Sequence, residues 1–204
     1  MDILQKLKHN QRRIGLTGGI ASGKSTITSY IREHKKVPIL DADNLSRELI
    51  KPNTIGYKKI LEYFGNKIIE KKTSDNAINR KLLKNIIFEN ENYRKWIEKL
   101  LHPLIKEKMI EECSKFKNNQ TILLEIPLLF EAKFEDICTE IWLVDCPKEV
   151  QLKRLVKRDN ITKKQAFKII NLQSNFHEKK NLCDVILDNS NDQNQWINKI
   201  GELI

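Results

Sequence analysis

The feature that most restricts this chain is the run Gly18-Gly19-Ile20-Ala21-Ser22-Gly23-Lys24-Ser25, set between an apolar segment and a helical pattern. Arg13–Thr17 is short, apolar and followed by two glycines, which predicts a buried strand. Ser25–His34 carries Ile27, Tyr30 and Ile31 at helical spacing. A strand that turns through glycines straight into a helix aims successive backbone N–H groups, and the positive end of the helix dipole, at one point. Such a point binds phosphate. The run matches G-x-x-x-x-G-K-[ST] at every position, and the strand–loop–helix context identifies it as a P-loop. Lys24 is placed to reach β- and γ-phosphates, and the Ser25 hydroxyl to enter a Mg²⁺ shell. A glycine-rich turn that binds nothing leaves the Lys-Ser pair opening a helix unexplained.

Further strands are predicted at Val37–Leu40, Thr121–Ile126, Glu140–Val144 and Val185–Leu187, and Trp196, Ile200 and Leu203 suggest a closing helix. Strands separated by helices imply a parallel sheet covered on both faces. From about Leu45 to Lys117 the pattern is helical instead: Ile60/Leu61/Phe64, Leu82/Leu83/Ile86/Ile87 and Trp96/Leu100/Leu101, broken by Pro52 and the Thr73–Asn76 cluster. His102-Pro103 interrupts the last run, and a proline there is expected to end or kink the helix. A second helical and cationic stretch is Glu149–Leu182. The fold class expected is α/β: a P-loop NTPase-type, five-stranded parallel sheet flanked by helices, with two helical insertions.

Several side chains then become candidates. Asp41-Ala42-Asp43 follows the second strand, where ligands of α/β sheets collect. Asp43 could take a proton from an acceptor hydroxyl or orient it, or could simply cap the helix starting near Leu45. Capping accounts for one Asp, not two. Glu125 closes the third strand, either as an acid near a metal or as a carboxylate paired with a lysine. Arg154 and Arg158 are four apart and share a helix face, with Leu152, Leu155 and Val156 opposite. Two guanidiniums on a mobile helix can close over ATP as a lid; the alternative is a solvated basic face. His102 is a lone histidine at a helix break, structural or lining a site.

Charge narrows the partners without deciding them. The sequence holds 37 Lys+Arg against 27 Asp+Glu, a formal net charge of +10, which attracts polyanions. The abundance of Lys, Asn and Ile is also what an AT-rich genome would encode. No apolar run reaches the length of a membrane span, Thr121–Phe130 being interrupted by Glu125. Arg12-Arg13 superficially suggests a twin-arginine export signal, but the apolar stretch behind it is short and runs into the P-loop. Cys113, Cys138, Cys146 and Cys183 are scattered, without C-x-x-C pairs, and read as reduced thiols of a cytoplasmic protein. An Asn-Lys-x-Asp segment for guanine is missing; Asn181-Leu182-Cys183-Asp184 lacks the lysine. A small P-loop core with helical insertions suits a kinase acting on a small metabolite.

The sequence resembles the dephospho-CoA kinase family over nearly its whole length. Ile14–Thr26 is similar to that family's I-G-L-T-G-G-I-x-S-G-K-S-T opening. Asp41-Ala42-Asp43, Leu101-His102-Pro103-Leu104-Ile105 and Pro127-Leu128-Leu129-Phe130-Glu131 resemble its next signatures in order. Gln151-x-x-Arg154-x-x-x-Arg158-Asp159, Gln173 and Asp184-Val185-Ile186-x-Asp188-Asn189 follow. The resemblance implies transfer of the ATP γ-phosphoryl group to the ribose 3′-hydroxyl of dephospho-CoA, the last step of CoA synthesis. It implies a nucleotide-binding core over 1–45, 119–148 and 183–204, a helical CoA-binding insertion over 46–118 and a lid over 149–182. By the same likeness Asp43, Lys24 and Arg154 are catalytic. Gly18, Gly19, Ala21, Ser22, Gly23, Lys24, Ser25, Thr26, Arg154, Arg158 and Asn189 hold ATP, the adenine lying near the loop after Asn189. Thr17, Asp43, Arg47, His102 and Glu131 face dephospho-CoA, and Ser25 and Glu125 serve Mg²⁺. Position 125 is Glu where many members carry Asp, and Ser174–Lys180 lacks an Arg common in relatives, for which Lys179 could substitute as a point charge. Met1–Arg12 extends beyond the family's usual start and is expected to stand clear of the site.

The expected partner is thus dephospho-CoA, with no nucleic acid and no membrane, in a monomer or weak homo-oligomer. Another small-metabolite or nucleoside-monophosphate kinase is the alternative among enzymes. A nucleic-acid-binding P-loop protein is the alternative outside them, disfavoured by sparse aromatics and the lack of a groove-reading module.

Overall fold

The computed structural model describes residues 3–70, 76–172, 179–190 and 193–204. The Thr73–Asn76 break, Gln173 and most of Ser174–Lys180 fall largely or wholly outside these residues. Two compact units are present: residues 9–40 with 117–204, and the N-terminal residues to Lys8 with 41–116.

The first unit is built on a five-stranded parallel sheet: β1 (Arg12–Gly18), β2 (Ile39–Asp41), β3 (Thr121–Glu125), β4 (Glu140–Asp145) and β5 (Val185–Asp188). The order across the sheet is β2-β3-β1-β4-β5. Leu16 of β1 lies opposite Glu125 on one side and Trp142 on the other. The central strands are buried along almost their full length because both faces are covered. One layer of core joins Ile14, Leu16, Leu123, Trp142 and Leu187 to Ile27 and Ile31 of α1 (Lys24–His34) and to Trp196 and Ile200 of the closing helix. Each such side chain contributes about 1.5–3 kcal/mol by leaving water. The chain leaves β1 toward one edge of the sheet and leaves β3 toward the other. The crevice between the ends of those two strands is therefore the switch point where α/β sheets bind ligands. The P-loop and Glu125 both open onto it.

Past β4, α6 (Lys148–Asp159) and α7 (Lys163–Leu172) form a hairpin turned by Asn160 in the left-handed conformation. Leu155, Ala166 and Ile170 are its buried centre, and Ile20 and Ala21 of the P-loop pack against them. The closing helix is α8 (Gln193–Leu203).

The second unit is helical, with α2 (Ala42–Leu49), α3 (Ile55–Phe64), α4 (Arg80–Glu89) and α5 (Glu91–Ser114) around Tyr57, Ile60, Phe64, Ile68, Leu83 and Ile97. Its helix starts follow from caps. Thr54 accepts from Tyr57 N at 3.2 Å, Asn79 from Leu82 N at 2.9 Å, and Asn90 from Asn92 N at 2.9 Å. The short turn Ile3–Lys6 packs on α5.

Of the two outcomes expected at Pro103, an end or a kink, the helix does not end there: α5 runs from Glu91 through to Ser114. An interior proline forfeits one backbone hydrogen bond and costs about 3 kcal/mol. Here Ile97 is buried on one side of it, and Ile105, Met109, Ile110 and Cys113 on the other, which offsets that cost. Among the described residues no helix is long and apolar enough to cross a membrane.

Candidate active site

The phosphate loop is held by its own backbone and by two side chains from outside it, Arg154 and Asn189. Gly18 has φ +151°, and a Cβ there would stand 2.4 Å from the Val144 carbonyl oxygen. Gly23, at φ +99° and ψ 25°, occupies the cap position of α1 in the left-handed region that side chains avoid. A Cβ on Gly23 would lie 1.9 Å from Asn189 Nδ2. Only glycine leaves room for Asn189 to reach the loop. Ala21 also has positive φ, at 56°, a strained conformation of the kind that concentrates at ligand sites.

Around this turn the structure gathers Ser22, Arg154 and Asn189. Asn189 Nδ2 donates to the Ser22 carbonyl at 2.8 Å, and Arg154 Nη1 donates to the same oxygen at 3.2 Å. Arg154 Nη2 donates to the Asn189 carbonyl at 2.8 Å. The Lys24 ammonium donates to the Gly18 and Gly19 carbonyls at 2.5 and 3.2 Å, folded across the loop that it would share with phosphate. Cys146, buried at the end of β4, is raised in pKa chiefly by burial, while the adjacent Arg154 guanidinium works against that shift.

Other predicted residues have settled elsewhere in this unit. Arg158 shares a helix with Arg154, but its guanidinium is exposed and pairs bidentately with Asp159 at 2.7 and 3.0 Å. Thr17 is buried and donates to the Pro127 carbonyl at 3.3 Å, tying the end of β1 to the segment after β3. Glu131 accepts from Lys179 at 2.7 Å, and Lys179 lies 5.4 Å from the Phe130 ring centre. Lys179 thus braces Pro127–Glu131. Glu125 sits half-buried at the end of β3, and Ser25 and Thr26 are exposed in the first turn of α1.

In the helical unit, Asp41 caps α2, accepting from Asp43 N at 2.8 Å and Asn44 N at 3.4 Å. The cap predicted as an alternative for Asp43 therefore belongs to Asp41. An extended residue at the strand end can turn its carboxylate onto the first helical amides, whereas Asp43 is already inside the first turn. Asp43 and Arg47 are exposed four residues apart on α2, and Arg47 donates to Asn44 Oδ1 at 3.2 Å. His102 is half-buried on α5, which packs against α2. The same unit carries a cleft of about 800 Å³ lined by Arg47, Lys51 and Arg80, with Glu48, Ile50 and Ile78 among the remainder. The sequence did not single out Lys51 or Arg80; the signal was faint, one cation four residues beyond Arg47 and another just inside the Asn79 cap.

The family model for dephospho-CoA kinase matches residues 12–195. The chain belongs to the dephospho-CoA kinase family. A dephospho-CoA kinase of Prochlorococcus marinus (strain MIT 9312) is 72% identical over the full length of both chains. Another, from Prochlorococcus marinus subsp. pastoris, is 62% identical, again over both full lengths. Among solved structures, a dephospho-CoA kinase from Campylobacter jejuni superposes with a TM-score of 0.70 at 29% identity, covering 95% of this chain and 97% of that one. Membership places this chain among P-loop kinases and makes ATP its phosphoryl donor. The rival kinase classes are not favoured. The dephospho-CoA kinase signatures read in the sequence fall within the matched span, from the P-loop in the core unit to Leu101–Ile105 in the helical one.

Proposed function

We infer that this chain transfers the γ-phosphoryl group of ATP to the ribose 3′-hydroxyl of dephospho-CoA, giving CoA and ADP in the final step of CoA synthesis. The observation that carries this reading is the formed phosphate cradle, Gly18–Ser25 opening α1 with the Arg154 fork against Ser22, in a chain whose family is dephospho-CoA kinase. Residues 1–45, 119–148 and 183–204 act as the nucleotide-binding core, 46–118 as the acceptor-binding part and 149–182 as the lid.

The chemistry assigned to each residue follows from what phosphoryl transfer requires. Little covalent work falls to the protein, so positioning and charge neutralisation dominate. Loop amides and Lys24 hold the phosphates, and Arg154 neutralises charge on the transferring group. The hydroxyl of Ser25 and the carboxylate of Glu125 are hard oxygen donors in one unit, the donor type that Mg²⁺ takes alongside phosphate and water. Mg²⁺ held by Ser25 and Glu125 would supply positive charge that offsets the charge of the phosphates. Asp43 receives the 3′-hydroxyl proton as the new O–P bond forms and the bond to the β–γ bridging oxygen breaks. The cationic cleft of Arg47, Lys51 and Arg80 suits the anionic phosphates of dephospho-CoA, and the family likeness assigns His102 to the acceptor. The enzyme acts in the cytoplasm, as a monomer or weak homo-oligomer.

ADP release, measured with dephospho-CoA, AMP, shikimate and gluconate in turn, tests the assignment. Efficient turnover of AMP with none of dephospho-CoA would refute it. Asp43→Asn should then lower kcat by roughly 10²–10⁴ while ADP binding survives, since it keeps shape and removes the proton acceptor. Undiminished kcat would strike Asp43 from that role.

A further inference from the structure

The end of β5 is joined to the phosphate loop by a buried relay. Asn189 is 5% exposed and Trp196, on α8, is 2% exposed, so their polar atoms must be satisfied internally. Trp196 Nε1 donates to Asn189 Oδ1 at 3.2 Å. An indole nitrogen can only donate, so it fixes which end of the Asn189 amide faces it. The other end, Nδ2, is thereby presented as a donor to the Ser22 carbonyl. Trp196 is itself braced edge-on by Tyr30 of α1, ring centres 5.3 Å apart. The Asn189 backbone is pinned to β4 by its N–H donating to the Asp145 carbonyl at 2.8 Å.

The consequence lies one atom further on. The Ser22 carbonyl and the Gly23 N–H belong to one planar trans peptide, so they point in opposite directions. Holding the carbonyl back toward Asn189 aims the Gly23 N–H out into the phosphate cradle. Arg154 pulls on the same oxygen, but from a lid helix. Asn189 pulls from the rigid sheet.

We propose that Asn189, oriented by Trp196, is a positioning residue that sets the Ser22–Gly23 peptide for phosphate binding, and not an adenine contact. The proposal concerns how the loop of the proposed ATP site is held and goes beyond the acceptor assignment. The near relatives of this side chain do not serve: glutamine is a methylene too long and aspartate would set oxygen against oxygen.

Calorimetric titration of the full chain with ADP and, separately, with tripolyphosphate tests this, using Asn189→Leu and Trp196→Phe. Asn189→Leu keeps the side chain's bulk without adding charge. It should weaken both ligands by about ten-fold and by equal factors, because the loop and not the base is affected. Trp196→Phe should weaken both by roughly two- to five-fold, since the amide loses only its orienting partner. In steady state the KM for ATP should rise while that for dephospho-CoA stays within about two-fold. Tripolyphosphate binding unchanged in either variant overturns the proposal, and loss of ADP affinity alone assigns Asn189 to the adenine. If Asn189→Leu shows no cooperative melt, Trp196→Phe decides by the same criterion. A chain that meets the two titration expectations yet never phosphorylates dephospho-CoA would sink the acceptor assignment and leave this one standing.

Discussion

Replacing Gly23 by alanine adds one methyl group at the point where loop, sheet and closing helix meet, and its cost can be worked from the geometry. The backbone at φ +99° lies outside any region comfortable for an L-residue, at about 1–2 kcal/mol. The new Cβ would stand 1.9 Å from Asn189 Nδ2, so the Asn189 side chain must leave. Its departure removes one of the two donors to the Ser22 carbonyl, Arg154 remaining, at about 0.5–1.5 kcal/mol, and strips the buried Trp196 Nε1 of its acceptor, at about 1–3 kcal/mol. The sum is roughly 2.5–6.5 kcal/mol. For a chain of this size about 1 kcal/mol moves the melting temperature by roughly 2–4 °C, so a fall of about 5 °C or more is expected in a thermal melt followed by circular dichroism. The decisive measurement is the cycle with Asn189→Ala, which empties the space that the new methyl needs. The double variant should be less destabilised than the two singles added together by more than about 1 kcal/mol. Strict additivity, or a single variant melting with the parent protein, would refute the claim that Asn189 is what demands glycine at position 23.

Arg154→Lys should lower kcat more than ten-fold by roughly the logic of a lost fork, since one ammonium cannot reach both the Ser22 and Asn189 carbonyls while facing phosphate; activity near that of the parent would show that charge alone suffices. Pro103→Ala should raise the melting temperature, because it restores a backbone donor inside a continuous helix; a fall would mean that the proline shapes α5. Burial, helped by the Asp184 carboxylate and opposed by Lys179, pushes the Cys183 thiol up to about 11 from its ordinary 9.0. The folded state thus favours the neutral thiol, and its contribution is complete below pH 9 and lost as pH rises through 11. Urea midpoints across that window should fall less steeply in Cys183→Ala than in the parent, and parallel slopes would contradict the assignment.

What the sequence disclosed and what it withheld divide along a physical line. The P-loop was legible because a phosphate cradle imposes residue types at fixed spacing, and the strands were legible because a doubly covered parallel sheet demands unbroken apolar runs. The break expected at Pro103 did not follow because propensity is local, whereas α5 carries Ile97, Ile105, Met109 and Ile110 buried on both sides of it. The cap at Asp41 or Asp43 was ambiguous because two identical side chains stood two residues apart, and only backbone conformation distinguishes the one that can turn back onto the helix.

The relay through Asn189 was hidden for a different reason. Its members, Ser22, Arg154, Asn189 and Trp196, are spread over 175 positions, from 22 to 196, and no spacing rule links them. What links them is a set of donors and acceptors that close on one another only once the sheet has formed, since Asn189 enters the loop from the end of β5 and Arg154 from α6. The same dependence explains why Arg154 and Arg158, equivalent on a helical wheel, part company. Arg154 finds two carbonyls within reach, on the loop and just past β5, while among the described residues Arg158 pairs with the carboxylate of its neighbour Asp159. Helical periodicity places both side chains on one face, but the acceptors within reach determine what each one does.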